Sequence, residues 1–183
     1  DAVIATSEPA AAFVPNTTAV VPHGIDVGRF TPPPDKRAAW AGSGLPGEYG
    51  IGTFGRVRPE KGTDVFVDAM IRALPQLPGA TAVIAGLAQE AHQAFEQDLR
   101  QRIAAAGLTG RIVFLGEIPS ADIHQWYQRC RLCVACPRYE AFGLTPFEAA
   151  AAGCALVCSR TGAFEQLVTP GVQGELVDTG DAA

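Results

Sequence analysis

The segment Tyr49–Gly62 reads YGIGTFGRVRPEKG and carries the clearest signal of the fold. Its beginning, up to Phe54, is a short apolar run of the kind that forms a buried β-strand. Glycines then mark a turn, and beyond Gly62 apolar residues recur with helical spacing until Pro75. A strand, a glycine turn and a helix in this order indicate an α/β protein, in which such a turn can bind an anion.

The same turn is rich in cations. Arg56, Arg58 and Lys61 follow the predicted strand, whereas the glycine spacings of dinucleotide sites and P-loops do not occur in it. Arginine presents a fork of donors to phosphate oxygens and lysine a mobile point charge, so the turn predicts a diphosphate site that depends on side chains. The alternative is that these cations lie on a solvated surface turn.

Two carboxylates flank a glycine turn in the segment RYEAFGLTPFEAAAAG, Arg138–Gly153. Gly143 lets the backbone approach a ligand, and the TP pair that begins at Thr145 can open a helix whose free N–H groups favour an anion. Glu140 and Glu148 would then bind hydroxyl groups on either side, which is the layout of a phosphorylated-sugar site. The alternative is structural, because TPFE also matches a capping box with Glu148 at the third helical position.

Together the two segments resemble the C-terminal halves of retaining glycosyltransferases of the GT-B fold, family 4. The resemblance extends in order over nearly the whole chain, through VVPHGIDVGRF (Val20–Phe30), GRVRPEKG, IVFLGEI, the E-x7-E element from Glu140 to Glu148, GAFEQLV and GELV. Within the family, GTFGRVRPEKGTDVFVDAMI is most similar to bacterial lipopolysaccharide core mannosyltransferases. The resemblance implies a Rossmann-like three-layer α/β domain with a mostly parallel sheet, one half of a GT-B enzyme.

The resemblance also implies roles for the matching residues. Arg56 and Lys61 would bind the donor diphosphate and offset the charge that builds on it, so that catalysis would be mainly electrostatic. Glu140 would hydrogen-bond the transferred sugar, and Glu148 would hold the ribose hydroxyls. The other donor-binding residues would be Gly55, Phe142, Gly143 and Leu144, the last three through backbone amides around the sugar and phosphate.

Retention of configuration in this family is ascribed to same-face attack by the acceptor, assisted by the leaving phosphate, and not to double displacement on a carboxylate. The resemblance therefore implies no protein nucleophile, no metal and no cofactor besides the nucleotide-sugar donor. The chain departs from the common pattern at Ala141, where many relatives have glycine, and at Phe164-Glu165, where many have proline before the glutamate. Ala141 narrows the backbone freedom beside Glu140.

The resemblance divides the chain into three parts. Residues 1–22 are expected to be the tail of an N-terminal acceptor domain, and residues 23–34, with the proline-rich run at 31–34, an interdomain linker. Residues 35–183 are expected to form the nucleotide-sugar-binding domain without the final crossover helix of the family. The chain by itself is therefore expected to bind the donor but not to transfer the sugar.

Short apolar runs alternate with helical patterns along the chain, as in βαβ units with a mostly parallel sheet. Beyond the first strand, the predicted elements are strands Thr81–Ala85, Arg111–Leu115, Leu132–Cys136 and Cys154–Cys158, a helix from Gln89 to Ala106, a helix opened by Ser120 and, near the start, strands Ala2–Ala5 and Ala19–Val21 around a helix Glu8–Phe13. Parallel strands expose their carboxyl ends on one rim. Both the cationic turn and Glu140 are predicted to lie on that rim.

Composition narrows the function classes. With 183 residues, 48% hydrophobic residues and a net charge of −5, the chain suits one globular domain and not a general nucleic-acid binder. The sequence contains no run of eighteen apolar residues that would predict a membrane span.

Three cysteines show a CxxCxxC spacing that could suggest zinc or an iron–sulfur cluster. Cys133 and Cys136, however, lie three apart in a predicted strand and should face opposite sides, which argues against a shared metal. The odd total of five cysteines favours a reducing cytosol. The histidines His23, His92 and His124 are scattered without ligand spacing, and none is assigned a catalytic role.

The expected function is therefore that of a retaining glycosyltransferase that moves a hexose, with mannose from GDP-mannose favoured, onto a lipopolysaccharide core or similar glycolipid or glycan. The expected place is the cytoplasm, with peripheral contact to the inner face of the bacterial inner membrane made by the acceptor domain. Two alternatives stay open: an enzyme that uses a UDP- or ADP-sugar on a soluble acceptor, and a noncatalytic nucleotide-binding module of the same fold.

Overall fold

A computed structural model describes residues 2–183 of the chain. The strands are β1 (Ile4–Ala5), β2 (Ala19–Val20), β3 (Tyr49–Phe54), β4 (Ala80–Ala85), β5 (Ile112–Gly116), β6 (Cys130–Ala135), β7 (Ala155–Ser159) and β8 (Gly174–Val177). The helices are α1 (Glu8–Ala11), α2 (Lys36–Ala41), α3 (Thr63–Ala73), α4 (Gln93–Ala105), α5 (Ile123–Arg129), α6 (Thr145–Ala151) and α7 (Phe164–Leu167). Short 3-10 turns lie at Val27–Phe30, Pro59–Lys61, Leu74–Gln76 and Glu90–His92.

Six strands form one sheet in the order β5-β4-β3-β6-β7-β8, and all its neighbouring pairs are parallel. From β3 the chain builds outward through β4 to β5, returns to place β6 on the other side of β3, and then builds outward in the opposite direction. The topological switch point of the sheet therefore lies between β3 and β6, where α/β proteins bind ligands at the carboxyl ends of the strands.

Helices cover both faces of the sheet and make two apolar cores. One core lies under α3 and α4 and includes the fully buried Val67 and Leu99. The other lies under α2, α5 and α6 and includes Trp40, Tyr127 and Phe164. The predicted three-layer α/β architecture is confirmed.

The boundaries of three helices differ from the sequence prediction, and the first of these helices, predicted from Glu8 to Phe13, ends at Ala11. The helix predicted from Gln89 is a 3-10 turn first and becomes α-helical at Gln93. The prediction that Ser120 opens a helix is wrong, because α5 begins at Ile123. The backbone N–H groups of Asp122 and Ile123 both bind the Pro119 carbonyl, so a turn occupies the positions that would have been the first helical turn.

Residues 4–20 form a small unit of their own. Strands β1 and β2 pair in parallel outside the six-stranded sheet, with Ile4 opposite Ala19. Ser7 caps α1 by accepting a hydrogen bond from the Ala10 N–H at 3.2 Å, and its hydroxyl donates to the Ala141 carbonyl at 2.5 Å. The unit thus contacts the Glu140 loop, while its assignment to another domain stays a prediction.

Part of the segment predicted as a linker packs against the core under α2, α5 and α6. Its 3-10 turn buries Phe30, which packs edge-on against the Tyr127 ring at 5.8 Å between centroids. Gln128 donates a hydrogen bond to the Thr31 carbonyl at 2.8 Å. The interdomain role of residues 23–34 stays a prediction.

Among residues 2–183, no helix has both the length and the apolar character needed to span a bilayer.

Candidate functional site

The candidate site lies at the switch point of the sheet. The loop after β3 carries Gly55, Arg56 and Lys61, and the loop after β6 carries Glu140 and Gly143. Because β3 and β6 are hydrogen-bonded neighbours, the two loops leave the same rim side by side. The prediction that both loops share one rim is confirmed.

Lys61 and Glu140 form an ion pair across these loops. The Lys61 Nζ lies 2.6 Å from Glu140 Oε2, with 31% and 17% of the two side chains exposed. Lys61 ends the 3-10 turn, and Gly62 then adopts a left-handed conformation with φ 67°. A Cβ at Gly62 would overlap the Cys136 carbonyl oxygen, so glycine permits the close approach of the two loops.

Glu140 is followed by the tight turn that the sequence predicted. Gly143 has φ 77°, and a Cβ there would overlap the ring of Phe164. Phe164, one of the two departures from the common pattern of the family, is buried, and its ring packs against the turn. Ala141, the other departure, does not have a positive φ, so the backbone conformation beside Glu140 does not require glycine at this position.

The capping-box alternative for Glu148 is wrong. Helix α6 has Leu144 as its N-cap residue and Thr145 as its first residue, without a side-chain cap. The carboxylate of Glu148 instead accepts a hydrogen bond from the Tyr127 hydroxyl at 2.8 Å. Burial, and then the nearby Glu148 carboxylate, raise the pKa of Tyr127, so that the phenol stays protonated and donates.

A cleft of about 300 Å³ opens beside the end of β3. Arg56 lines it with an exposed side chain, and Tyr127 closes its floor. The other lining residues are Phe54, Gly55, Ala85, Gly86, Leu87, Glu117, Ile118, Ile123 and Thr145. We call this space the β3 cleft.

A second cleft of about 340 Å³ lies over the ion pair. Its lining residues are Thr6, His23, Lys61, Glu140, Ala141, Phe142, Gly143, Leu144 and Thr145. We call this space the ion-pair cleft, and Thr145 belongs to both clefts. Two clefts that share one residue can hold two connected parts of one ligand.

The predicted site residues are thus distributed over two adjoining clefts. Gly55 and Arg56 line the β3 cleft. Lys61 and Glu140 line the ion-pair cleft together with the residues Phe142, Gly143 and Leu144. Glu148 does not line the β3 cleft itself. Its carboxylate accepts a hydrogen bond from the hydroxyl of Tyr127, which does line that cleft.

Two residues of the site, His23 and Tyr127, could not be recognised from the sequence. His23 lines the ion-pair cleft and packs edge-on against Phe142, with ring centroids 5.2 Å apart. Tyr127 was part of an ordinary amphipathic pattern, and no local signal marked it as the partner of Glu148. Each of these contacts joins residues far apart in the chain, so that spacing within a motif could not reveal them.

The cysteines are arranged as the strand periodicity predicted. Cys133 belongs to the core under α5 and α6, whereas Cys136 belongs to the core under α3, so the two lie on opposite faces of the sheet. Burial raises the pKa of Cys136 to about 11 and that of Cys158, with a further contribution from Cys136, to about 12. In the described part of the chain, no three His, Cys, Asp or Glu side chains converge as a metal site.

Comparison with known proteins identifies relatives of this domain. The family model of the glycosyl transferases group 1 matches residues 41–183. A lipopolysaccharide core biosynthesis mannosyltransferase, LpcC of Rhizobium leguminosarum bv. viciae, is 47% identical over 181 residues, which are 99% of this chain and 51% of that protein. The chain spans about half the length of this relative and of the lipopolysaccharide core biosynthesis mannosyltransferase LpsB of Rhizobium meliloti.

Solved structures show the same architecture. The C-terminal domain of a glycosyl transferase group 1 family protein (LpcC) from Francisella tularensis is 36% identical with a TM-score of 0.83, covering 87% of this chain and 82% of that one. Anabaena Alr3699/HepE, in complex with UDP and glucose, is 29% identical with a TM-score of 0.87, covering 99% of this chain and 50% of that one.

Proposed function

Since the chain belongs to the group 1 glycosyltransferases, we propose that it is the donor-binding half of a retaining hexosyltransferase. The longer protein would transfer mannose from GDP-mannose to a lipopolysaccharide core or a similar glycolipid. The Rhizobium leguminosarum relative is a lipopolysaccharide core biosynthesis mannosyltransferase, and its 47% identity over nearly the whole chain supports this substrate class.

The observation that carries the proposal is the ion pair of Lys61 and Glu140 at 2.6 Å, which is partly buried and lines the ion-pair cleft. An ion pair withdrawn from water gains little net stability, because the loss of hydration offsets the attraction, so a structural role is a weak explanation of its geometry. A phosphate that enters the ion-pair cleft would compete with the carboxylate for the ammonium of Lys61. Glu140 would then be free to accept a hydrogen bond from a hydroxyl of the transferred sugar.

The diphosphate would lie where the two clefts meet. Arg56 reaches it from the β3 cleft and Lys61 from the ion-pair cleft, so that two cations oppose the charge that develops as the glycosidic bond breaks. Stabilisation of developing charge by preplaced cations is commonly a major part of catalysis. The turn at Gly143 would bring backbone amides close to the sugar and phosphate.

The nucleoside would occupy the β3 cleft. Gly86, Leu87 and Ile118 provide an apolar wall with backbone groups that can bind the edge of a base. Glu148 contacts Tyr127, which lines this cleft, and its carboxylate would bind the ribose hydroxyls of a nucleoside placed there. The donor would thus extend from the β3 cleft to the ion-pair cleft across Thr145.

Transfer would then follow the same-face course of retaining family members. The bond between the anomeric carbon and the diphosphate oxygen breaks, the acceptor oxygen forms the new bond on the same face, and its proton passes to the departing phosphate. In this course the chain's residues bind, orient and neutralise charge, and no side chain becomes covalently attached to the sugar. We infer that the remaining part of the protein binds the acceptor and makes the peripheral contact with the inner face of the membrane.

A calorimetric titration of this chain with GDP, UDP and ADP tests the proposal. Without the acceptor half, we expect affinities on the order of 0.1 to 1 mM. Lys61→Ala should weaken GDP binding about tenfold, whereas Arg160→Ala, which removes a half-exposed cation that follows β7 on the same rim, should leave binding unchanged. Binding of none of the three nucleotides, or equal loss in both variants, would refute the proposed role of the cleft.

The second candidate donor is a UDP-sugar. The observation in its favour is that Anabaena HepE, which shares the fold at a TM-score of 0.87, was solved with UDP and glucose. Tighter binding of UDP than of GDP in the same titration would support this candidate and a different acceptor. Nucleotide binding that does not change in Lys61→Ala would favour the noncatalytic module.

A further inference from the structure

A second ion pair joins the two loops of the candidate site. The Arg138 guanidinium binds both carboxylate oxygens of Asp64, Nη1 to Oδ1 at 2.8 Å and Nη2 to Oδ2 at 2.7 Å. Arg138 lies two residues before Glu140, and Asp64 lies three residues after Lys61. The bidentate pair therefore connects the same two segments as the Lys61 pair, but at a different point.

Arg138 also binds the backbone on the other side of Lys61. Its N–H donates to the Glu60 carbonyl at 2.9 Å, and its guanidinium donates to the Pro59 carbonyl. One residue of the β6 loop thus contacts positions before and after Lys61. The path of the 3-10 turn that presents the Lys61 side chain depends on these contacts.

The pair stays ionised under ordinary conditions. Burial acts to raise the pKa of Asp64, but the hydrogen bond and the charge of Arg138 outweigh it and hold that pKa below its ordinary value. Neither residue lines the β3 cleft or the ion-pair cleft in the described part of the chain. A ligand in those clefts would therefore leave this pair in place.

We propose that Asp64 and Arg138 are positioning residues, which keep the Lys61 and Glu140 segments at a fixed separation when a bound phosphate takes Lys61 away from Glu140. This inference rests on the proposed function of the ion-pair cleft. The direct Lys61 pair connects the loops less firmly while a ligand engages its ammonium, because the phosphate competes with Glu140 for the same cation. The Arg138 pair provides the connection that does not depend on the ligand.

A double-mutant cycle tests whether Arg138 acts through Lys61. We expect Arg138→Ala to weaken GDP binding by about fivefold in the native background and to have no further effect in Lys61→Ala. Exchange of the partners, in Asp64→Arg with Arg138→Asp, should restore part of the affinity. Equal losses of affinity in both backgrounds would overturn the proposal, since Arg138 would then act independently of Lys61.

Hydrogen–deuterium exchange of the unliganded chain gives a measurement that does not require nucleotide binding. Arg138→Ala should speed amide exchange in both segments, residues 59–64 and 137–143, while Arg160→Ala at the unrelated Asp178 pair should not. Unchanged exchange in either segment would overturn the connection itself. A native chain that binds no nucleotide would refute the proposed function, whereas the exchange result would still decide whether the pair joins the loops.

Discussion

Glu140 and Glu148 are separated by seven residues, yet they lie in opposite kinds of environment. Glu140 is in a loop and pairs with Lys61, a mobile cation that enters from a segment 79 residues away. Glu148 is in the regular helix α6 and accepts a hydrogen bond from Tyr127, whose ring is almost completely buried. One carboxylate has a partner that a ligand can displace, and the other has a partner that the core holds in place.

This difference suggests a division of tasks between the two halves of the site. Chemistry that changes charge requires a group that can exchange its partner, which is the situation of Glu140. Binding of a part of the ligand that does not react benefits from a fixed acceptor, because less conformational entropy is lost on binding. We therefore propose that Glu140 binds the reacting sugar and Glu148 the nucleoside.

The largest expected effect separates the two glutamates directly. In the longer protein that contains this chain, Glu140→Gln should lower kcat by on the order of 10² to 10³, since the amide cannot take over the role of the carboxylate in the transition state. It should also bind GDP no more weakly than the native protein, because Lys61 loses a competing partner. Glu148→Gln should mainly weaken nucleotide binding.

Steady-state kinetics with a saturating acceptor and GDP titration of the same proteins check this separation. The comparison fails if Glu140→Gln leaves kcat unchanged, or if both variants lose kcat and nucleotide affinity in the same proportion.

The next effect concerns the turn that sets the position of Glu140. Gly143→Ala should destabilise the chain by about 2 to 4 kcal/mol, because φ 77° strains a residue with a Cβ and the methyl group would overlap the Phe164 ring. Gly107→Ala is the matched control, since Gly107 has φ 70° but open space around its Cβ position. Gly107→Ala should lower the free energy of unfolding only by the backbone strain, about 1 to 2 kcal/mol.

Urea denaturation of both variants measures the two costs. Equal destabilisation in Gly143→Ala and Gly107→Ala would mean that Phe164 does not constrain the turn.

Much of this arrangement could be predicted from the sequence because its signals are local. The apolar run and glycines around β3 fix a strand and a turn, and the period of the strand places Cys133 and Cys136 on opposite faces as observed. The rim shared by Lys61 and Glu140 also follows from the parallel sheet, since all strands end on the same side.

The partners of the site residues could not be predicted in the same way. The letters TPFE match a capping box, but tertiary contact with Tyr127 decides where the Glu148 carboxylate points. The Asp64 partner of Arg138 is 74 residues away in the chain. The sequence contains other carboxylates, and it does not show which of them the Arg138 guanidinium binds. Such choices depend on packing, which a one-dimensional pattern does not contain.

A smaller effect is expected at the fixed glutamate. Tyr127→Phe removes the hydroxyl that donates a hydrogen bond to the Glu148 carboxylate. The loss of this charge-assisted hydrogen bond should destabilise the chain by about 1 to 2 kcal/mol. In the Glu148→Gln background, Tyr127→Phe should lower the free energy of unfolding by less, since the hydrogen bond that it removes is then between neutral groups. Urea midpoints of the four proteins give the coupling, and strictly additive losses would mean that the hydrogen bond does not hold Glu148.

The smallest effect is a dependence of stability on pH at the Asp64 pair. Because Arg138 holds the folded-state pKa of Asp64 below its ordinary value of 3.8, the pair stabilises the fold above that value and loses its contribution as pH falls through the folded-state pKa. With 41% of Arg138 and 23% of Asp64 exposed, solvent screening limits the contribution to about 0.5 kcal/mol. Asp64→Asn should therefore lower the urea midpoint slightly at pH 7, and its difference from the native chain should vanish at a pH below the folded-state pKa, which lies under 3.8. Asp178→Asn is the control, because the Asp178 side chain is 85% exposed and lies 3.7 Å from Arg160. Its urea midpoint should equal that of the native chain at each pH. If the difference between Asp64→Asn and the native chain were the same at both pH values, the charge of Asp64 would not contribute to the connection between the two loops, and the contrast between a displaceable and a fixed partner would have to rest on Glu140 and Glu148 alone.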